Sequence, residues 1–371
     1  MSQPEQLPWD LVGEILCRVP TKYLARFRTV CKQWKAVWED KSFLNKYLSR
    51  ARPQFMIRTD SKICSVEISI DDKNEDNMSI VERDVTLEYE CKTYTNLCYC
   101  DGFVLYGMCK KGFVIWNPWV RQHRFIENQE YTFGGVGYDN IRPERGYKIF
   151  GYNFYTDRSS GQFQSNVAIY ECKSDAWKFI NGTREEPHGI MPDSIMSLNG
   201  NLYFIAFDTK AYKYFIQSFD MSEDIFKTIC AFPSIEGSFS TQALAVFRGD
   251  RLSLLMQSRL SNKVEIFVTK QKVDGNGEAL VWINFMTVSI PNFPRLLPHY
   301  LSPDPSFFVD NKDDKRLFVC ACDGTEHPCI YIVKGDVLRK ISIDTLFVNM
   351  FTCFRSYIPS FISIPCCVPC V

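Results

Sequence analysis

Two periodicities divide this chain. Over the first fifty residues apolar side chains recur every three or four positions, and beyond them they alternate with polar ones in short runs broken by turns. Leu11, Val12, Ile15 and Leu16 share one helical stripe. Pro8 suits a first turn whose N–H has no partner, and Asp10 and Glu14 complement the positive end of a helix dipole. The spacing predicts a helix over 8–17 that stops before Pro20, a second capped by Thr21 and carrying Leu24, Phe27 and Val30, and a third over 32–38 carrying Trp34, Val37 and Trp38. A unit of about forty-five residues buries too little surface to cover so many large apolar groups by itself. Part of that surface must meet the rest of this chain or another protein.

After about residue 50 the pattern is almost entirely β. Apolar and aromatic runs such as Phe103-Val104-Leu105-Tyr106, Phe113-Val114-Ile115-Trp116, Leu202-Tyr203-Phe204-Ile205 and Val264-Glu265-Ile266-Phe267-Val268 are bounded by Asp101-Gly102, Lys111-Gly112, Asn199-Gly200 and Gly249-Asp250, which permit tight hairpins. Turns at Gly102, Gly146, Gly200 and Gly249 are 44, 54 and 49 residues apart, and the aromatic anchors Trp116, Tyr170, Phe219, Phe267 and Tyr331 follow at 54, 49, 48 and 64. A repeat of about fifty residues holding four strands is the unit of a kelch-like propeller. The expected fold is therefore mainly β with a small N-terminal helical module, the β part being a propeller of five or six blades, with a two-sheet β-sandwich as the alternative. Runs at Gln54–Arg58, Ile63–Ile70 and 84–89 supply a further blade, the segment 350–364 closes the ring, and the longest spacing places an insertion within 273–298.

Charge and cysteine content narrow the function. Lysine plus arginine equals aspartate plus glutamate, 43 against 43, so no global field draws nucleic acid or an anionic membrane. No apolar run approaches the roughly twenty residues of a membrane span, and Met1 to Gln6 lacks the basic and apolar pattern of a secretory leader. The sixteen cysteines are accordingly expected as reduced, packed thiols of a cytoplasmic or nuclear protein. Cys320, Cys322, His327 and Cys329 have zinc-ligand chemistry, but Cys320 and Cys322 alternate as a strand would, and no metal or cofactor is expected. The four histidines, His123, His188, His299 and His327, are scattered, and no nucleophile elbow or phosphate loop is present, which argues against an enzyme.

The N-terminal segment Leu7-Pro8-Trp9-Asp10-Leu11, Glu14-Ile15-Leu16, Arg18-Val19-Pro20, Leu24, Phe27-Arg28, Val30-Cys31-Lys32 and Trp34 resembles the F-box. That resemblance implies a three-helix module over 1–50 that docks on the Skp-family adaptor of a ubiquitin ligase and reaches cullin through it. Carried over by position, it makes Leu7, Pro8, Leu11, Ile15, Leu16, Val19, Pro20, Leu24, Phe27, Val30, Cys31 and Trp34 the adaptor-facing or motif-core set. Cys100-Asp101-Gly102-Phe103, Ile115-Trp116-Asn117-Pro118, Gly137-Tyr138-Asp139, Ser174-Asp175-Ala176-Trp177 and Ser197-Leu198-Asn199-Gly200-Asn201-Leu202-Tyr203 resemble the F-box-associated domain of plant F-box proteins, here over 51–371. Phe204 stands where many relatives carry tryptophan. The pair implies a non-catalytic receptor that presents a protein substrate to a ligase; it assigns no substrate-binding residue. An adaptor-binding or small-ligand-binding propeller working outside a ligase is the alternative.

Overall fold

The structure is a computed structural model and describes residues 8–17, 19, 23–24, 34 and 36–364, apart from 60–61, 71–77, 88–93, 109–110, 128–130, 132, 142–144, 157–162, 181–188, 209–210, 234–238, 259–262, 275–279, 292, 298–302, 311–314, 345 and 347–351. The first helix runs over Trp9–Leu16, with the Pro8 carbonyl accepting from the N–H groups of Leu11 and Val12 at 3.0 and 3.1 Å. Tyr23, Leu24, Trp34 and Ala36 are helical, and Val37–Glu39 forms a tighter turn. A further helix, Lys41–Arg50, was not expected from the spacing. Asp40 caps it by accepting from the Phe43 N–H at 2.7 Å.

Beyond it the period-2 runs become strands, and hairpin turns join them into six separate antiparallel sheets. The first blade holds Gln54–Arg58, Ile63–Ile70 and Met78–Asp84, and its innermost strand is Cys353–Tyr357 from the far end of the chain, paired with Gln54–Arg58. The next two are built in chain order from Tyr94–Cys100 to Gln122–Glu127 and from Phe133–Asp139 to Ala176–Ile180. In the fourth, the inner strand is split into Gly189–Ile190 and Met196–Leu198 by a short turn at Pro192–Ser194, where proline cannot donate to the ladder. The last two run from Phe239–Phe247 to Trp282–Val288 and from Ser306–Val309 to Val337–Ser342. Inner strands touch in a circuit that returns from Ser306–Val309 through Cys353–Tyr357 to Tyr94–Cys100. This is a closed six-bladed propeller, not a sandwich, and it is closed by the segment expected to do so.

Each wedge between neighbouring blades holds its own apolar core. Met56, Ile63, Val104 and Trp116 join the first two blades; Phe113, Phe150, Phe204 and Phe219 continue through the next two. Ile205 and Leu254 share one core, Val268 and Val319 another, and the Phe308 ring meets Phe55 at the remaining joint. The anchors Trp116, Tyr170, Phe219, Phe267 and Tyr331 all lie on the third strand of their blades. Close approach also demands glycine: a Cβ on Gly137 would collide with the Gly200 carbonyl oxygen, which already accepts from Tyr138 N–H at 2.9 Å.

One strand expectation is corrected. The third strand of the first blade is Met78–Asp84, not 84–89, because the Asp84 carboxylate accepts from the Thr86 N–H at 2.9 Å and turns the chain there; residues 88 and 89 lie outside those described. The extra length after Phe267 is used on the way to the last blade, where Phe293 and Leu296 are buried and the Gln257 side chain bonds to Pro294 and Leu296.

Candidate functional site

Strands in a blade alternate in direction, so first-to-second and third-to-fourth turns emerge on one face of the ring. The helical module sits there. Arg145, beside the first turn of the third blade, bonds to Asn45 at 2.7 Å and pairs with Asp101 in the corresponding turn of the second. Ser49 packs on Gly249 in the fifth blade, and the rings of Trp38 and Trp119 both meet Phe361 edge-on, at 5.0 and 6.1 Å. Val12, Leu16, Leu24, Phe43 and Tyr47 complete a core shared by the two units. Glu14 ties the first helix to the last through Lys46 and Arg50, which hold its exposed carboxyl down to about 2.

With the inner face of the first helix spent on this core, its outer face carries exposed apolar groups. Leu11 and Ile15, four residues apart and so neighbours on the helix, are 50 and 48% exposed; Tyr23, beyond that helix, is 44% exposed. The other expected positions divide by their place in the module. Leu16 and Leu24 are buried at 1 and 0%; Val19 and Trp34 are half-buried against the same core; Pro8 is exposed at the start of the helix. Leu7, Pro20, Phe27, Val30 and Cys31 lie outside the described residues.

The ring encloses a cavity of about 280 Å³. Leu48 and Ser49 of the last helix line its end on the module side, while Met191 and Asp193, both exposed, line it at the split inner strand of the fourth blade. Between them stand Thr241, Asp304 and Arg355 from three further blades. The Arg355 guanidinium donates to the carbonyl oxygens of Leu97 and Phe354 at 2.7 and 2.8 Å and lies 3.5 Å from Asp193. Burial, reinforced by Asp193, pushes the Asp304 carboxyl up to about 6.

Residues 54–364 match the F-box associated beta propeller domain, and residues 4–46 match the F-box domain. The chain belongs to the F-box proteins that carry this propeller. A putative F-box protein of Arabidopsis thaliana is 44% identical to it, over 98% of this chain and 99% of that protein. A putative F-box/kelch-repeat protein of the same plant is 40% identical, over 97% of this chain and 99% of its own length.

The cysteines weighed from the sequence as metal ligands sit within the last blade of this F-box protein. Cys320 and Cys322 lie buried in the strand Leu317–Cys322, and the Cys329 thiol donates to the Ala321 carbonyl at 3.4 Å. Burial pushes the Cys322 and Cys329 thiols up to about 12 and 11, so they stay protonated at neutral pH. No helix among the described residues is long and apolar enough to cross a membrane. The residues that sequence reasoning missed are those of the last helix and the channel. Asp40 followed by Phe43, Leu44, Tyr47 and Leu48 is a readable cap and apolar stripe. The channel set carries no local signal.

Proposed function

We propose that this protein is a substrate-recognition subunit of a Skp-cullin-F-box ubiquitin ligase. The observation that carries the reading is the Leu11 and Ile15 pair, apolar and exposed on a helix whose opposite face is locked to the propeller. These two side chains dock on the Skp-family adaptor, with Pro8 at the start of their helix. Leu16, Val19, Leu24 and Trp34 hold the helix in place, and cullin is reached through the adaptor. A few desolvated apolar groups dominate most interfaces, so this small surface suffices as an anchor.

The module occupies one face of the ring, which leaves the opposite face and the rim for a protein substrate. The receptor supplies no nucleophile or base. It raises the local concentration of substrate lysines near a ubiquitin-charged enzyme, in the cytosol or nucleus, and the rate gain is one of proximity.

The test is capture of adaptor and cullin by the full chain, beside Leu11→Glu/Ile15→Glu. Capture of both by the native chain and of neither by the variant supports the reading. Absence of adaptor from the native capture, or adaptor without cullin, overturns it.

A further inference from the structure

The channel mouth away from the helical module has an aromatic border. Tyr212 stands in the second-to-third turn of the fourth blade and is 81% exposed, more than any other large apolar side chain among the described residues. Its backbone is left-handed, at φ +52°, a conformation that glycine adopts at least cost, and the Asp208 carboxylate fixes the turn by accepting from the Ala211 N–H at 3.0 Å. A line of ring contacts leads from Tyr212 to the channel. Tyr212 meets Phe207 edge-on at 6.2 Å, Phe207 meets Tyr214 at 4.8 Å, and Tyr214 stacks on Phe232 at 5.6 Å. Because Tyr214 also lines the channel, the exposed ring and the cavity belong to one continuous surface.

The channel wall around Tyr214 is uncharged. Met196, Ile205 and Leu244 share a core with it, and the Met191 N–H bonds to the Ile205 carbonyl at 3.0 Å. Gln242, two residues before Leu244 and so on the same face of its strand, adds a half-buried amide whose side chain bonds to no described residue. The charged groups elsewhere in the lining cancel. Asp193 and Asp304 equal Arg248 and Arg355 in number, and Arg355 lies 3.5 Å from Asp193. At the rim Asp208 and Lys213 stand opposite each other in strand register. An ion entering this channel gives up water without meeting a surplus of opposite charge, which is costly. An apolar side chain gains from the same transfer and adds contact with the rings. At about 280 Å³ the cavity holds one large side chain and no folded element.

We infer that this mouth docks an extended protein segment, which places one aromatic or long aliphatic side chain in the channel beside Tyr214 and lays its neighbouring residues over Tyr212. Gln242 offers its amide to the main chain of that segment, as donor and as acceptor. That the segment belongs to a substrate rests on the receptor reading above. Its chemistry rests on the rings and on the balanced charges, and the adaptor-docking helix lies on the other face of the ring.

The experiment titrates the full chain with N-acetylated, C-amidated pentapeptides Gly-Ser-X-Ser-Gly, in which X is Phe, Leu, Lys, Glu or Ser, followed by saturation-transfer NMR. It is repeated on Tyr212→Ala, Tyr212→Phe and Gln242→Ala, with thermal melts to show that each variant is folded; an exposed ring leaves Tyr212→Ala melting with the native protein. The Phe or the Leu peptide is expected to bind about tenfold or more tightly than the Lys, Glu and Ser peptides. Binding is expected to fall about fivefold or more in Tyr212→Ala and Gln242→Ala and to persist in Tyr212→Phe, which keeps the ring. Equal binding of apolar and polar peptides, no binding of any, or undiminished binding by folded Tyr212→Ala or Gln242→Ala overturns the inference, as does an equal loss in Tyr212→Phe and Tyr212→Ala. Adaptor capture is measured on the same samples. Capture without selective peptide binding overturns this inference alone, and selective binding without capture overturns the ligase reading while the docking site stands.

Discussion

The Tyr47 hydroxyl donates a hydrogen bond of 2.9 Å to the main-chain oxygen of Pro359, a residue 312 positions further along the chain. The pair is buried and joins the last helix of the F-box region to the segment that follows the closing strand of the propeller. Tyr47→Phe leaves that oxygen without its partner and is expected to cost about 1–2 kcal/mol. Trp38→Ala, which empties the space between Phe43, Tyr47 and Phe361, is expected to cost about 3–5 kcal/mol. Urea denaturation followed by tryptophan fluorescence checks both. A separate early transition of the helical region in the native protein would contradict a shared core.

Exposed and buried positions of the first helix should respond differently. Leu11→Glu/Ile15→Glu places charge where water already reaches and is expected to change stability by less than about 1 kcal/mol while abolishing adaptor capture. Leu16→Ala removes a buried side chain and is expected to cost about 2–5 kcal/mol, with adaptor capture falling only as the module unfolds. Melting curves run beside pull-downs distinguish the two. Equal stability losses would show that the exposed pair belongs to the core.

Asn117 is a second fastener of the closing segment. Its amide donates to the main-chain oxygens of Ser360 and Ile362 at 3.1 and 2.9 Å, both buried, and its own oxygen accepts from the Trp119 N–H at 3.1 Å; the Asn117 side chain is fully buried. Asn117→Ala is expected to cost about 2–4 kcal/mol through unsatisfied buried carbonyls. Asn117→Asp should be worse, because a carboxylate would then face two carbonyl oxygens. Chemical denaturation of the two variants tests the order.

Asp304 makes stability depend on pH in an unusual direction. An unfolded aspartate titrates near about 4, whereas burial raises this one to about 6. Between those values the folded state holds a proton that the unfolded state has lost, so this group's contribution worsens as pH rises through the window and is fully unfavourable above it. Asp304→Asn is expected to raise stability at pH 7.5 by on the order of 2 kcal/mol and to have little effect at pH 4. Paired thermal melts at the two pH values measure the difference; an equal effect at both would remove the titration as its cause.

How far the fold can be read from sequence depends on where its signal resides. Five of the six blades are legible because each carries an aromatic on its third strand, so Trp116, Tyr170, Phe219 and Phe267 keep a near-constant spacing and Tyr331 follows after a longer one. Ring closure is legible for a related reason, since a first blade begun at Gln54 lacks an inner strand until a late apolar segment supplies one. Leu11 and Ile15 can be named from the F-box pattern, but their separation from Leu16 and Leu24 requires knowing that Phe361 and Trp119 cover one side of the module. Nothing local marks the channel. Asp193, Thr241, Asp304 and Arg355 come from four blades, and only closure brings them to one cavity.

The closing strand also sets an order of maturation. A ribosome delivers Cys353–Tyr357 after every other strand of the ring, and Phe361, against which Trp38 packs, follows it. Until those residues emerge the first blade is one strand short, and the helices at the other end lack part of their shared core. The helices, synthesised before the ring, are thus among the last parts to be finished. A product of interrupted translation would carry the helical sequence without the surface that braces it.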